Sequence, residues 1–353
     1  MAVPGEAGVS AREDHARRAK PRVAIYAQPE YFRFTYEHDL DEIADVLEVR
    51  MQMGMQLSEF RQLIEFDADY NFFYRGEFVP PGVLEQLRGV KVALSSEPFP
   101  RVVNGRYSYT ADSVRRYMVF RTIRSMPYDY VFHYDDASLP FLQWDGLRLS
   151  GHFALPVATS TYSPRERRKD WDLFFIGRST PHRERFFGLP KHRHHFLHIC
   201  HGLWGQGLVD YLQSAKICLN VHAENEISWE PRMQMMMACG VFVISERITP
   251  NVYLRPGIDY VQVDSPAEMH EAVEHYLNAS DERDLIARSG YERVIDQLAA
   301  RKAFGTLIEG IEQGRFPRFQ SDQGATSMRA LVAADQHWAR ARRTVRRVIG
   351  SVG

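Results

Sequence analysis

The chain lacks most of the features that mark specialised functional classes. It has only three cysteines in 353 residues, Cys200, Cys218 and Cys239. An odd and small number of thiols, all in apolar surroundings, excludes a disulfide framework and predicts buried thiols in a reducing compartment. No apolar run approaches the ~18 residues that a membrane-spanning helix needs. The formal net charge is −1, so no global field draws the chain to nucleic acid, and no nucleic-acid partner is expected. Residues 1–20 mix Gly, Ala, Glu and Arg without the apolar segment of a secretory signal. They predict a disordered leader and a cytoplasmic protein. No short internal repeat is present.

What remains is an ordinary globular composition, 44% hydrophobic and 25% charged, in a chain too long for one core. Two domains are expected. The first, 21–160, alternates strands and helices. RVAIYA at 22–27 predicts a strand. Leu40, Ile43, Ala44 and Leu47 have helical spacing and predict a helix over 35–49. Strands follow at 67–74 and 90–95, a short helix at 83–87 and a longer one at 111–125. Further strands are expected at 130–133 and 153–157. The polar, basic run 159–170 (TSTYSPRERRKD) is a linker. The pattern then restarts in a second domain, 161–312: strands at 171–176, 196–200, 217–221, 241–245 and 260–263. Helices alternate with them, and those at 266–277, 281–297 and 301–311 close the domain. The fold class is α/β, with two doubly wound, Rossmann-like domains facing a cleft. The segment 313–353 is a basic tail, expected to be helical. Within 328–349, Arg329, Arg340, Arg342, Arg343, Arg346 and Arg347 oppose one acid, Asp335. Two readings fit it: a helix lying on anionic lipid, giving peripheral contact at the inner membrane face, or a solvated basic end.

Residues 216–246 organise the second half. A short apolar run leads into the polar loop 222–229. Pro231 suits a first helical turn, and Gly240 suits the position just past a helix end. Ligands of open parallel sheets sit beyond the carboxyl ends of the strands. A helix start behind that loop favours an anion such as a diphosphate. In the first half, His133, Asp135 and Asp136 follow one strand end, and Ser96 and Glu97 another. Carboxylates or histidine there are reasonable bases for a hydroxyl group. The histidines His192, His194, His195, His198 and His201 form a run in which His194 and His198 are four apart. No nearby acid or cysteine set completes a metal site, and no metal is expected.

The second half carries five segments in a recognisable order: DLFFIGRSTPHRERFF (172–187), DYLQSAKICLNVH (210–222), EPRMQMMMACGVFVIS (230–245), LRPGIDYVQVDSPAEMHEAVEHYL (254–277) and ERDLIARSGYERV (282–294). They resemble the bacterial CgeB-like glycosyltransferases, a branch of the family 1/family 4 type with the GT-B fold. The resemblance covers roughly 171–311. It implies that the second domain binds a nucleotide-diphosphate sugar, that the first holds the acceptor, and that the last helix crosses back onto the first domain. It points Gly177 and Arg178 at the diphosphate, with Arg183 as a second cation. It also makes Arg232 the arginine that precedes a ribose-binding glutamate by three positions.

Here the sequence departs from the family pattern. Retaining enzymes of this type carry E-x7-E. Counting back five from Gly240 gives Met235, and the first glutamate falls on Ile227. A shift of one gives Glu226 and Gln234. Glu224, Glu226 and Glu230 lie in the loop or at the helix start, and Glu226 is the favoured group for contacting the sugar. The function implied is transfer of a sugar to a glycan, lipid-linked or other hydroxyl acceptor. It is expected to be metal-independent and retaining, with no cofactor besides the donor. The alternatives are a silent nucleotide- or glycan-binding scaffold and a sugar-nucleotide epimerase.

Overall fold

The computed structural model describes residues 20–223, 229–249 and 251–322. In the first half, strands β1 (Arg22–Ala27), β2 (Asp45–Arg50), β3 (Tyr70–Tyr74), β4 (Val90–Ser95), β5 (Tyr130–His133) and β6 (Gly151–His152) form a six-stranded sheet in the order β2-β1-β3-β4-β5-β6. Every pairing in it is parallel. Side chains alternate between two cores, as the period of two requires. Val23, Ile25 and Ala27 face one apolar cluster, while Ala24 and Tyr26 face the other. Both faces are covered, the usual condition of a parallel sheet.

The second half repeats the plan. Strands β7 (Trp171–Ile176), β8 (Phe196–Ile199), β9 (Ala215–Asn220), β10 (Phe242–Glu246) and β11 (Val261–Val263) form a parallel five-stranded sheet, ordered β8-β7-β9-β10-β11. Among the described residues, the helices of seven residues or more are α1 (Ala111–Phe120) on the first half, then α2 (Pro181–Arg193), α3 (Gly205–Gln213), α4 (Arg232–Ala238), α5 (Pro266–Asn278), α6 (Ser280–Leu298) and α7 (Ala300–Glu312). In each sheet the winding reverses between the first strand and the third. A crevice opens at the carboxyl ends there.

Three expectations are corrected. Residues 35–49 are not one helix but a short 3₁₀ turn, Leu40–Glu42, followed by β2. The free edge of β1 offers a ladder to DVLEVR, and pairing along all six residues outweighs the helical spacing. The expected strand at 153–157 ends early, at Gly151–His152. Pro156 has no N–H for a ladder, and Val157 instead forms a lone parallel bridge with Ala299. Finally, α7 does not close the second half, as its place in the pattern predicts, but lies across the first sheet, as the resemblance implies. Its apolar face, Phe304, Leu307, Ile308 and Ile311, has the spacing of one helical stripe. Phe304 meets Phe72 edge-on at 5.3 Å, and the Tyr70 hydroxyl donates to Glu312 at 2.9 Å. Beyond the helix, Phe316 packs on Phe132 at 5.0 Å.

Of the cysteines, Cys218 and Cys239 are buried as expected, but Cys200, just past β8, is exposed. The leader up to residue 19, the basic tail from 323 onward, Glu224 and Glu226 lie outside the described residues. Among the described residues no helix is long and apolar enough to cross a membrane.

Candidate functional site

The switch point of the second sheet lies between the ends of β7 and β9. Gly177 follows β7 with φ of +144°. A Cβ there would stand 2.8 Å from Arg232 Nη1 and 3.2 Å from Arg183 Nη1. Only glycine lets two guanidinium groups pack this closely on the backbone. The chain then enters α2, whose first turn is capped by Thr180: its side chain accepts a bond from the Arg183 N–H at 3.2 Å. That cap sets Arg183 one turn into the helix, facing inward.

Arg183 is 3% exposed. Its Nε donates to the Val221 carbonyl at 2.8 Å and its Nη1 to the Arg178 carbonyl at 2.9 Å. Arg232 donates to the Ile176 carbonyl at 2.6 Å. Both guanidinium groups lie over the Phe175 ring, each 5.0 Å from its centroid. Glu230 joins them, 2.7 Å from Arg232 and 3.5 Å from Arg183. Burial works to raise the Glu230 pKa, but Arg232, His222 and Arg183 overcome it and hold the carboxyl well below the usual carboxylate range. Burial, with the Arg232 charge beside it, brings Arg183 down to about 10, still protonated at neutral pH. Arg178 is exposed and lines the cleft. Its side chain meets no carboxylate among the described residues.

His222 lies two residues past the end of β9 and reaches the same place. Its Nε2 donates to the Arg247 carbonyl at 2.7 Å. Nδ1 is therefore the unprotonated nitrogen of the neutral ring. It is buried without a hydrogen-bond partner, 3.9 Å from Glu230 Oε1. Sequence reasoning passed over His222, although its place beyond a buried strand was the available signal.

The opposite wall comes from strand ends of the first half: Gln28 and Tyr31 after β1, Arg75 after β3, Ser96 and Glu97 after β4 and Tyr134 after β5. With Arg178, Arg183, His222 and Glu230 they enclose a cleft of about 750 Å³. Arg75 sits in the left-handed region, φ +58°, at the end of a central strand. A smaller hollow of about 300 Å³ adjoins the cleft and is lined by Tyr31, Phe34, Leu203, Trp204, Pro231 and Met235.

The structure thus brings Gly177, Arg178, Arg183, Glu230 and Arg232 together, with Glu97 across the cleft. Glu97 is not a free carboxylate: it accepts from Arg75 Nη1 at 2.7 Å and is ion-paired to Arg116. The other predicted residues turn away. Asp135 is buried, 3.3 Å from Arg101 Nε, and caps the Ala137 N–H at 3.1 Å. Burial raises its pKa, with Arg101 opposing. His133 is fully buried, 3.0 Å from the Ser95 hydroxyl, and stacked on Phe99. Burial holds its pKa down at about 3, so it is a neutral core residue. Gln234 is also fully buried. Its oxygen accepts from Trp229 Nε1 at 2.9 Å and its nitrogen donates to the Leu155 carbonyl at 2.7 Å. It ties the two halves together and, with no exposed surface, is closed to a ligand hydroxyl. In the histidine run, His194 caps the end of α2 while His198 lies in β8 and bonds the Gly177 carbonyl at 2.7 Å, so their spacing of four is not helical.

Residues 175–309 match the family model described as Glycosyl transferase-like. No match was found among curated proteins. Among solved structures, HepE of Anabaena in complex with UDP aligns with a TM-score of 0.53 at 9% identity, covering 83% of this chain and 100% of its own. Sucrose-phosphate synthase of Thermosynechococcus elongatus aligns at 0.54 and 12%, covering 83% and 100%. AviGT4, a glycosyltransferase of avilamycin A biosynthesis, aligns at 0.52 and 13%, covering 83% and 97%. The chain has the GT-B fold of these glycosyltransferases, and the glycosyl transferase-like model matches most of its second half.

Proposed function

We propose that the protein transfers a sugar from a nucleotide-diphosphate sugar, held by its second half, to a hydroxyl group presented by its first half. One observation carries this reading. At the switch point, Arg178, Arg183 and Arg232 gather with Glu230 as the one carboxylate ion-paired to them among the described residues, and Arg178 meets none there. That excess of positive charge suits a diphosphate, and its planar guanidinium donors suit phosphate oxygens. When the sugar leaves, negative charge builds on the diphosphate. Fixed cations in a partly enclosed cleft stabilise that charge without reorganising. On this reading the arginines do the work a catalytic metal would otherwise do, and turnover survives chelation by EDTA. Glu230 Oε1, with His222 Nδ1 beside it at 3.9 Å, is suited to hydroxyls of the ribose or the sugar. The adjoining hollow, with Trp204 and Leu203, offers apolar surface for a base. Glu226, outside the described residues, is the group proposed to contact the sugar. The five segments quoted above support a place in the CgeB-like branch, and the product anomer, read by proton NMR, decides between retention and inversion.

HepE was solved with UDP and with UDP-glucose, so UDP is the first nucleotide to try. A thermal-shift screen of UDP, GDP, ADP, CDP and dTDP should raise the melting point with at least one, since a ligand of the native state stabilises it. No shift with any of them would sink the donor-site assignment. A silent scaffold is the second reading. Met235, where the resemblance puts a glutamate, borders the adjoining hollow. A protein that binds UDP in calorimetry but releases none from UDP-glucose, with or without sugar acceptors, would be that scaffold. A new sugar nucleotide formed without acceptor would indicate an epimerase.

A further inference from the structure

Away from the cleft, the C-terminal end of α2 packs on α5. His194, at the end of α2, meets His270 and Glu274, which are one turn apart on α5. We propose that these three side chains form a binding site for a divalent metal ion of the zinc class, which clamps α2 to α5. The inference is independent of the cleft and of the transfer reaction.

Three observations carry it. First, one donor atom from each residue converges, all within 4.8 Å of one another. His194 Nε2 lies 3.2 Å from Glu274 Oε1, and His270 Nδ1 lies 3.8 Å from the same oxygen. Ligands on a tetrahedral zinc, at bond lengths of about 2.0–2.1 Å, stand ~3.3 Å apart, so the ion fits with small adjustments of the side chains. Second, these two ring nitrogens are buried and make no hydrogen bond. Buried polar atoms ordinarily find partners, and a metal would satisfy both at once. Third, the donor set of two imidazoles and one carboxylate is one that zinc accepts, leaving its fourth position to water. The ends of the site are held in place: the His194 N–H bonds the Pro190 carbonyl at 3.1 Å, and α5 fixes the other two.

One neighbour competes. Arg193 Nη1 is 3.2 Å from His270 Nε2 and 3.7 Å from Glu274 Oε1. An ion on His270 Nδ1 requires the proton on Nε2, which turns that nitrogen from acceptor to donor. Arg193 is half exposed and would swing into solvent as the ion enters. The sequence concealed this site because its second histidine and its acid come from another helix, far along the chain.

The test uses the full chain, free of any affinity tag and stripped with chelator. Zinc is titrated by calorimetry and the melting temperature followed as zinc is added. The expected result is one saturable site and a melting point that rises with zinc concentration. His194→Ala and Glu274→Ala should each lower zinc affinity at least ~10-fold. His275→Ala, on the same helix but paired with exposed Glu282, should leave it unchanged. Arg193→Ala should tighten binding by removing the competing cation. Absence of binding, or binding undiminished in both His194→Ala and Glu274→Ala, overturns the proposal.

Discussion

Truncating Arg178 removes an exposed guanidinium that no carboxylate of the described chain holds, whereas truncating Arg232 strands a carboxylate. Arg178→Ala should therefore weaken nucleoside-diphosphate binding by about 10–100-fold, the loss of charge-assisted bonds of about 1.5–3 kcal/mol, and leave the melting point unchanged. Arg232→Ala should do both kinds of damage. It leaves Glu230 without its 2.7 Å partner and frees the Ile176 carbonyl. Breaking a fully buried pair costs about 3–5 kcal/mol. Glu230 is 24% exposed, so about 2–3 kcal/mol is expected. Calorimetry with UDP beside chemical denaturation separates the two variants. His133 supplies a prediction in pH. Its folded pKa lies below that of a free imidazole, at about 3. The unfolded chain thus takes up a proton that the native chain refuses. Its contribution is fully present above about pH 6.5 and is lost as pH falls towards 3, by at most about 1.4 kcal/mol per unit. His133→Asn should show a shallower loss of stability over that window than the parent protein in urea denaturation. Arg178 was legible because it turns out of the end of β7, and Arg183 and Arg232 because the resemblance carried by the quoted segments points to them. Gln234, His133 and Asp135 were not. Position near a strand end does not say which way a side chain faces. That was decided by distant partners: Leu155 for Gln234, Ser95 and Phe99 for His133, and Arg101 for Asp135.

At the level of elements, α2 ties fold to site. Thr180 is the joint, because its side chain starts the helix and so sets the angle at which Arg183 enters beneath Gly177. Thr180→Ala should cost about 1 kcal/mol in denaturation. It should also weaken UDP binding, whereas Thr180→Ser should restore both. A purely local cap would move stability alone. Most strands were readable, because a buried parallel strand is a short apolar run bounded by turns. The exception, residues 35–49, shows the limit of periodicity. Leu40, Ile43, Ala44 and Leu47 have helical spacing, but the segment borders an unpaired strand edge, and Val46 and Val49 take up the ladder there. The closing helix was read as a helix, and that it crosses back onto the first half came from the resemblance, not from its apolar stripe. Which sheet that stripe would cover is not written in the stripe.

Over the whole molecule, one apolar core runs without a break from the first sheet through Leu155, Val157 and α7 into the second. Phe304 sits at its centre, fully buried, between Phe72 and Phe153. Phe304→Ala should cost about 3–5 kcal/mol and lower the melting temperature by several degrees. Phe304→Leu should recover most of that loss. The path of the chain has a practical consequence for recombining such proteins. The physical first half comprises residues 20–158 and also the returning segment from Ala300 to Asp322, which covers its sheet with α7, packs Phe316 on Phe132, and pairs Gln320–Ser321 with Leu147–Arg148. A chimera that exchanges the first half by swapping residues 20–158 alone would join a foreign sheet to a native lid, with mismatched side chains along the whole of α7. Exchanging the two segments together keeps that interface intact, so functional hybrids of this chain require two crossovers, one near Val157 and one near Ala299.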